Sequence, residues 1–289
     1  MKKGMFLSII SAICFGLVPL FTKIVLAMDY DVIAIGFFRF LGLGIFSACM
    51  IKIKKISLKL DVSIFPSIAI DSFFQVVTLI LLSTSYLFIP TGNATSLHFM
   101  YPIFVFLILY FYYKNHFSKV QWIALILSIL GIIFFIDFGN MNNGIGMLIA
   151  IVSGLTYAIY MVILDKQGLA SLNPFVLAFY ACLMEVLVLG IIGLCLGSFS
   201  ITINGLALVS LITLSALSIA GTLLLQVGTR LIGSGMASLF CLFEPLTSLF
   251  CGWFLLKDPI LLSNILGCIF IFAGIFLIMK PKKRRNSYE

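Results

Sequence analysis

Four charged residues lie inside long apolar stretches of the chain: Arg39, Asp71, Glu185 and Glu244. A charged side chain at the centre of a bilayer costs at least about 2.5 kcal/mol unless it is paired or hydrated. Each of the four must therefore face protein or a water-filled cavity. A carboxylate in such a cavity can bind a cation or carry a proton, and a guanidinium can bind a substrate carboxylate through its planar fork.

Glu244 precedes Pro245 and is expected about 14 Å into its helix, near the middle of a membrane. A proline within a helix removes the bond to the carbonyl four residues back, here that of Cys241, and a free carbonyl at this depth needs protein or water beside it. Two roles stay open for Glu244: a substrate or proton site, and a structural carboxyl bonded to a neighbouring helix. Glu185, about 18 Å into its helix, is the second candidate for proton coupling.

A polar stripe is predicted on the third helix, where Asp71, Gln75 and Thr78 share one face. Such a stripe is typical of a cavity wall, and equally of a helix contact held by side-chain hydrogen bonds. Arg39 is either a substrate-binding group or one half of a structural ion pair with an acid. His98 is either a satisfied packing residue or a proton carrier.

The chain also matches itself. Segment 92–102 recurs as 235–245, and segment 4–11 recurs at almost the same offset as 146–153. Tyr101 stands where the second copy has Glu244, so a hydroxyl and a carboxyl occupy matching places, and Pro102 matches Pro245 as a second expected helix break. The candidate substrate-binding residues are therefore Tyr101, Glu244, Arg39, Asp71, Gln75 and His98.

Composition places these residues in a membrane. The chain is 62% apolar and 10% charged, with a mean hydropathy of +1.23, far from the make-up of soluble domains. About 20 apolar residues are needed for each helical crossing. Ten such segments are predicted, at 5–27, 32–51, 65–87, 92–112, 120–137, 145–164, 173–196, 206–227, 235–256 and 260–279. The predicted fold is thus an all-α integral membrane protein with ten transmembrane helices.

The basic residues predict the orientation of these helices. With both termini in the cytoplasm, 15 of the 18 lysines and arginines fall on the cytoplasmic side, as short loops prefer. Each half then has five crossings, an odd number, so the two repeats are inverted. The expected division is a first repeat over 1–138, a second over 139–280 and a basic cytoplasmic tail over 281–289. The net charge of +8 follows from this topology and requires no nucleic acid.

The sequence lacks the motifs that are typical of several other classes of protein. The chain has no phosphate-binding loop, and its two histidines are too few to suggest a metal site. We expect no cofactor, no metal and no enzymatic activity. The expected partners are a small-molecule substrate, membrane lipid and, as the candidate coupling ion, protons. The sequence specifies no oligomeric state.

A family resemblance follows from particular motifs. Residues 94–102 read Ala-Thr-Ser-x-x-x-x-Tyr-Pro, their partner 237–245 reads Ala-Ser-x-x-x-x-x-Glu-Pro, and Gly252-Trp253 and Ala273-Gly274 follow. The chain thereby resembles the EamA-type members of the drug/metabolite transporter superfamily, although that family usually has Gly-Glu where this chain has Lys257-Asp258. Arg39 matches an arginine common there. The resemblance implies an inner-membrane carrier with a central cavity that moves small metabolites, often outward.

The combined interpretation is a secondary transporter in the cytoplasmic membrane. We expect it to export a small polar metabolite, such as an amino acid or a related compound, by alternating access between the two repeats. Three alternatives stay open: a lipid or isoprenoid-carrier translocase, a non-transporting scaffold or accessory subunit, and an intramembrane enzyme. The last would need a catalytic set that the sequence does not reveal.

Overall fold

The structure of the chain is a computed structural model that describes residues 1–137, 143–199, 205–256 and 261–279. Within those ranges all regular secondary structure is helical. The α-helices are α1 (Lys2–Leu26), α2 (Val32–Ile53), α3 (Phe65–Ser85), α4 (Thr91–His98), α5 (Tyr101–Phe111), α6 (Lys119–Ile133), α7 (Gly144–Lys166), α8 (Pro174–Leu196), α9 (Gly205–Phe240), α10 (Phe243–Leu256) and α11 (Leu262–Met279). Short 3-10 turns lie at Val62–Ile64 and Leu169–Ser171.

The membrane assignment is confirmed by the length and composition of these helices. In the described ranges, eight helical segments have at least 18 residues and are apolar enough to cross a bilayer. The shorter α6 has 15 residues and ends before the predicted limit at 137. The predicted boundary between the repeats at 138/139, the pair Lys257-Asp258 and the basic tail 281–289 lie outside the described residues.

Helix α9 combines one predicted crossing with the start of the next. It has 36 residues, which at 1.5 Å each would span about 54 Å, far more than a hydrocarbon core of about 30 Å. Gly233 divides it, with φ 77° and ψ 159°. A positive φ is strained for a residue with a Cβ, so glycine suits this break. Ser234 then begins a new helical stretch, one residue before the predicted start of the ninth crossing at 235.

The two crossings with a predicted proline break, at Pro102 and Pro245, are interrupted at matching places. Helix α4 ends at His98 and α5 begins at Tyr101, while α9 ends at Phe240 and α10 begins at Phe243. Proline lacks the backbone N–H and is best accommodated in the first turn of a helix, where no bond is lost. Pro102 and Pro245 both occupy first turns. The fourth and ninth predicted crossings are therefore each two helices.

Helix packing follows the internal repeat. Helix α1 packs along α9, α3 along α7, α2 along α8 and α6 along α11. The repeat matches α1 with α7 and α3 with the first part of α9, so these two contacts are copies of each other. The other two pairs each join a helix to its own repeat partner. Large apolar side chains such as Phe111, Leu187 and Phe254 are exposed on the outside of the bundle, as lipid contact requires.

The contact between α6 and α11 depends on two facing glycines. A Cβ on Gly267 would lie 2.7 Å from the Gly131 carbonyl oxygen, and a Cβ on Gly131 would lie 2.7 Å from that of Gly267. We expect Gly267→Leu to destabilise the purified protein by about 1–3 kcal/mol, as overpacking does, measured as a lower thermal unfolding midpoint in detergent. Gly144→Ala, with no atom within 4 Å of the added Cβ, is the control. Equal midpoints for both variants would contradict this account of the contact.

Candidate functional site

A cavity of about 440 Å³ opens at one end of the helix bundle. Its mouth is formed by the end of α1, the start of α2, the end of α3, the start of α4 and the start of α11, with Trp253 of α10 beside them. Its floor lies near the middle of the bundle. The polar and charged residues that line it are Thr22, Lys23, Arg39, Gln75, Thr78, Ser83, Tyr86, Thr91, Thr95, Ser96, His98, Tyr157, Tyr160, Thr222, Glu244, Ser248 and Asn264.

Glu244 supplies the carboxyl group of the cavity. The first turn of α10 positions it, and its side chain is 7% exposed. The atom Oε1 has no hydrogen-bond partner among the described residues. The Cys241 carbonyl, which Pro245 was expected to leave free, instead accepts a hydrogen bond from the Glu244 backbone N–H at 2.9 Å. The unsatisfied group on the cavity wall is thus the carboxyl and not the carbonyl.

Arg39 supplies the positive charge. It lines the cavity from α2, and its Nε has no hydrogen-bond partner among the described residues. Among the described residues, no carboxylate oxygen lies within 4.0 Å of the Arg39 guanidinium. The structural ion pair with an acidic neighbour therefore stays a prediction, since Glu185 acts on Arg39 electrostatically without a contact of that length. Its guanidinium carbon lies 5.1 Å from the centroid of the Phe40 ring, a cation–π contact that leaves the fork free.

A family model for EamA-like transporters matches residues 2–136 and, a second time, residues 144–280. The chain belongs to the EamA-like transporter family. A protein of Synechocystis sp. described as an uncharacterized transporter is 26% identical over 234 residues, covering 75% of this chain and 68% of that protein. A solved crystal structure aligns with a TM-score of 0.82 over 96% of this chain and 97% of its own, at 13% identity, which supports the fold alone.

His98 in this EamA-like chain is both a packing residue and part of the cavity wall. Its Nδ1 lies 2.9 Å from the Ser153 hydroxyl oxygen, and only 6% of its surface is exposed. Its backbone carbonyl lies against Gly154, where a Cβ would approach the oxygen to 2.7 Å. The imidazole is thus held by a neighbouring helix, as the packing alternative predicted, while its edge reaches the cavity.

In the structure of this EamA-like chain, Tyr101 is not among the residues that line the cavity. It is fully buried, and its ring packs edge-on against Tyr157 with centroids 4.7 Å apart. Tyr157 and Tyr160 of α7 occupy the wall in its place. The sequence carried a signal for them: the two tyrosines are three residues apart on one helix face, and the repeat matches Tyr157 with Phe15, which also lines the cavity.

The predicted stripe on α3 divides between two spaces. Thr78 lines the cavity and exchanges a 2.7 Å hydrogen bond with Thr156 of α7, so it is also a helix contact. Gln75 lines the cavity and a second, smaller space. Asp71 lines only the smaller space, together with Glu185. The cavity therefore keeps Glu244, Arg39, Gln75 and His98 of the predicted substrate residues.

At the end of the bundle opposite the mouth, hydrogen bonds join α7 to α9, and α8 to the connection between α2 and α3. The Asp165 Oδ2 accepts bonds from the Ser234 backbone N–H at 3.0 Å and from the Ser234 hydroxyl at 2.8 Å. The Tyr180 hydroxyl donates to the Leu58 carbonyl at 3.0 Å. We call the Asp165–Ser234 contact the end clamp. The cavity therefore opens at one end of the bundle, and hydrogen bonds join neighbouring elements at the other end.

Proposed function

We propose that the protein is a secondary transporter that exports a small metabolite carrying both an amino and a carboxyl group, such as an amino acid or a related compound. The observation that supports this most directly is the presence of Arg39 and Glu244 on the wall of one cavity, each with an unpartnered polar atom. A guanidinium fork suits a carboxylate, and a carboxylate suits an ammonium group. A zwitterion satisfies both without adding net charge to the membrane interior.

The proposed mechanism is alternating access by ten crossings arranged as two inverted five-helix repeats, 1–138 and 139–280. Fifteen of the eighteen basic residues then face the cytoplasm, together with both termini and the tail 281–289. In that orientation the cavity mouth faces the outside of the cytoplasmic membrane, and the end clamp closes the cytoplasmic side. The proposal includes no catalysis and no cofactor.

Glu244 and Glu185 are the proposed carriers of coupling protons. Glu244 faces the substrate space, so a bound ammonium group and a proton would compete for the same carboxyl oxygens. Such competition exchanges one cation for the other, which is the arrangement that an exporter driven by an inward proton gradient requires. Coupling of this kind predicts that export rises when the medium is made more acidic than the cytoplasm.

The test of the proposed function is the metabolite profile of the medium around cells that overproduce the protein. The comparison is with cells that produce equal amounts of Ser83→Trp, in which an indole fills the mouth of the cavity. We expect one or a few amino-acid-like compounds to be enriched outside only with the unmodified protein. Equal profiles would overturn export, and a change confined to membrane lipids would favour a lipid translocase.

A further inference from the structure

A small acidic chamber lies beneath the cavity, on the side of the end clamp. It has a volume of about 20 Å³, enough for about one water molecule. Its polar walls are Asp71 and Gln75 of α3, Cys182 and Glu185 of α8 and Gln226 of α9. The proposed function assigns the cavity above to substrate and names Glu185 as a proton carrier, but it gives Asp71 and the chamber that the two acids share no role.

The two carboxyl groups of the chamber are buried and incompletely bonded. Asp71 and Glu185 are each 1% exposed. The Asp71 Oδ1 and the Glu185 Oε1 have no hydrogen-bond partner among the described residues. The Gln75 amide reaches the other Asp71 oxygen at 3.4 Å. Burial of an ionised carboxylate without its partners is costly, so these oxygens require a ligand.

The charges around the chamber do not balance. From α2, Arg39 is the cation whose field acts on Glu185, while Glu185 is the charged group whose field acts on Asp71. The titratable groups facing them from α7 and α8 are Tyr160 and Cys182, which are neutral when protonated. Helix α9 contributes Thr222 and Gln226, which do not titrate. Two carboxylates thus stand against one guanidinium, which lies outside the chamber and acts on Glu185, and one further positive charge is needed.

We propose that Asp71 and Glu185 share one exchangeable proton, which makes the chamber a proton site distinct from the substrate cavity. A proton needs only one carboxyl oxygen and fits a space of this size. A metal cation would need several more oxygens, and no group of three or more His, Cys, Asp or Glu in the described part of the chain could hold one. The role of this proton in coupling rests on the proposed transport function.

Gln226 connects the chamber wall to the rest of the clamped end. Its side-chain amide donates to the Leu169 carbonyl at 3.2 Å and to the Leu172 carbonyl at 3.1 Å. These bonds join α9, beside the chamber, to the turn between α7 and α8. Arg39 connects the two spaces, because it lines the cavity while its charge acts on Glu185.

The proton is detected by infrared difference spectroscopy of the purified full-length protein in lipid nanodiscs, without substrate. Spectra at successive pH values report the carbonyl band of a protonated carboxylic acid. We expect Asp71→Asn and Glu185→Gln each to remove the same component of this carbonyl band, together with about one titrating proton per chain. Glu244→Gln, in the separate cavity, should leave that component in place.

Each outcome decides the proposal. Retention of the component in both variants would overturn it, and so would the loss of two different components, since the proton would then not be shared. Loss of the band on addition of NaCl at constant pH would assign the chamber to sodium instead. Each variant is first checked for monodisperse elution, and one folded variant that keeps the component is sufficient to reject the idea. Because no substrate is present, failure here leaves the export proposal intact, and failure of the metabolite test leaves this band intact.

Discussion

Glu244→Gln is expected to lower the transport rate at limiting substrate by about 10- to 100-fold without reducing the amount of folded protein in the membrane. Glu244 is the only acidic residue among the described residues that line the cavity. A hydrogen bond to a charged group contributes about 1.5–3 kcal/mol, and each 1.4 kcal/mol changes an affinity tenfold. Glutamine keeps the shape of the side chain but cannot balance a bound ammonium group, so binding is lost while packing is retained.

The measurement is uptake or exchange of the compound found in the metabolite profile, using proteoliposomes with equal amounts of each variant. Asp29→Asn is the matched control, because it removes one carboxylate from an exposed position outside the cavity, where φ is 63° and asparagine is well tolerated. Glu244→Asp, with the charge retained on a shorter side chain, is expected to recover part of the rate. A Glu244→Gln rate within twofold of the control would remove Glu244 from the substrate site.

The membrane fold could be predicted because its main determinant is linear in sequence. A bilayer sets the length of each apolar segment, so the start of α2 at Val32 and the end of α8 at Leu196 were both predicted to the residue. The break at Gly233 was predicted only as a gap between segments. Its geometry depends on a positive φ, which composition alone does not specify.

The candidate site was less predictable because it depends on which faces of neighbouring helices meet. Asp71 and Thr78 share one helix face, but they are far enough apart along α3 to border different spaces. Tyr101 matches Glu244 in the repeat, yet it is covered by Tyr157 of another helix. The two repeats therefore differ in conformation at matching positions, and no single-sequence pattern reports that difference.

The end clamp shows the same asymmetry between the repeats. The repeat matches Asp165 with Lys23 and Ser234 with Thr91, and both of these counterparts line the open mouth of the cavity. At the clamped end the Asp165 carboxylate accepts two bonds at the start of a helical stretch, where backbone N–H groups are unpaired and the helix dipole favours a negative charge. Lys23 cannot accept such bonds, so this pair of positions forms no equivalent clamp at the mouth. If the carrier works by the proposed alternating access, the sequence favours the state that is open at the mouth.

Asp165→Ala is expected to lower the ratio of mouth-open to mouth-closed molecules by at least about tenfold, since two hydrogen bonds to a charged acceptor are lost and 1.4 kcal/mol already corresponds to a factor of ten. The readout is the labelling rate of Ser83→Cys, a reporter in the cavity wall, by a membrane-impermeant maleimide. The two exposed native cysteines, Cys49 and Cys195, are replaced by serine. Labelling should slow in Asp165→Ala in proportion to the fall in the mouth-open fraction.

Two further variants separate the clamp from a general loss of structure. Ser234→Ala removes the hydroxyl bond and keeps the backbone bond, so its labelling rate should fall between those of the parent and Asp165→Ala. Asp61→Ala removes the same kind of contact, a carboxylate that accepts a serine backbone N–H at 3.1 Å, from an exposed turn outside the bundle, and it should label like the parent. Equal labelling rates for Asp165→Ala and Asp61→Ala would mean that the end clamp does not change the ratio of mouth-open to mouth-closed molecules. The open mouth would then have to be stabilised by helix packing alone.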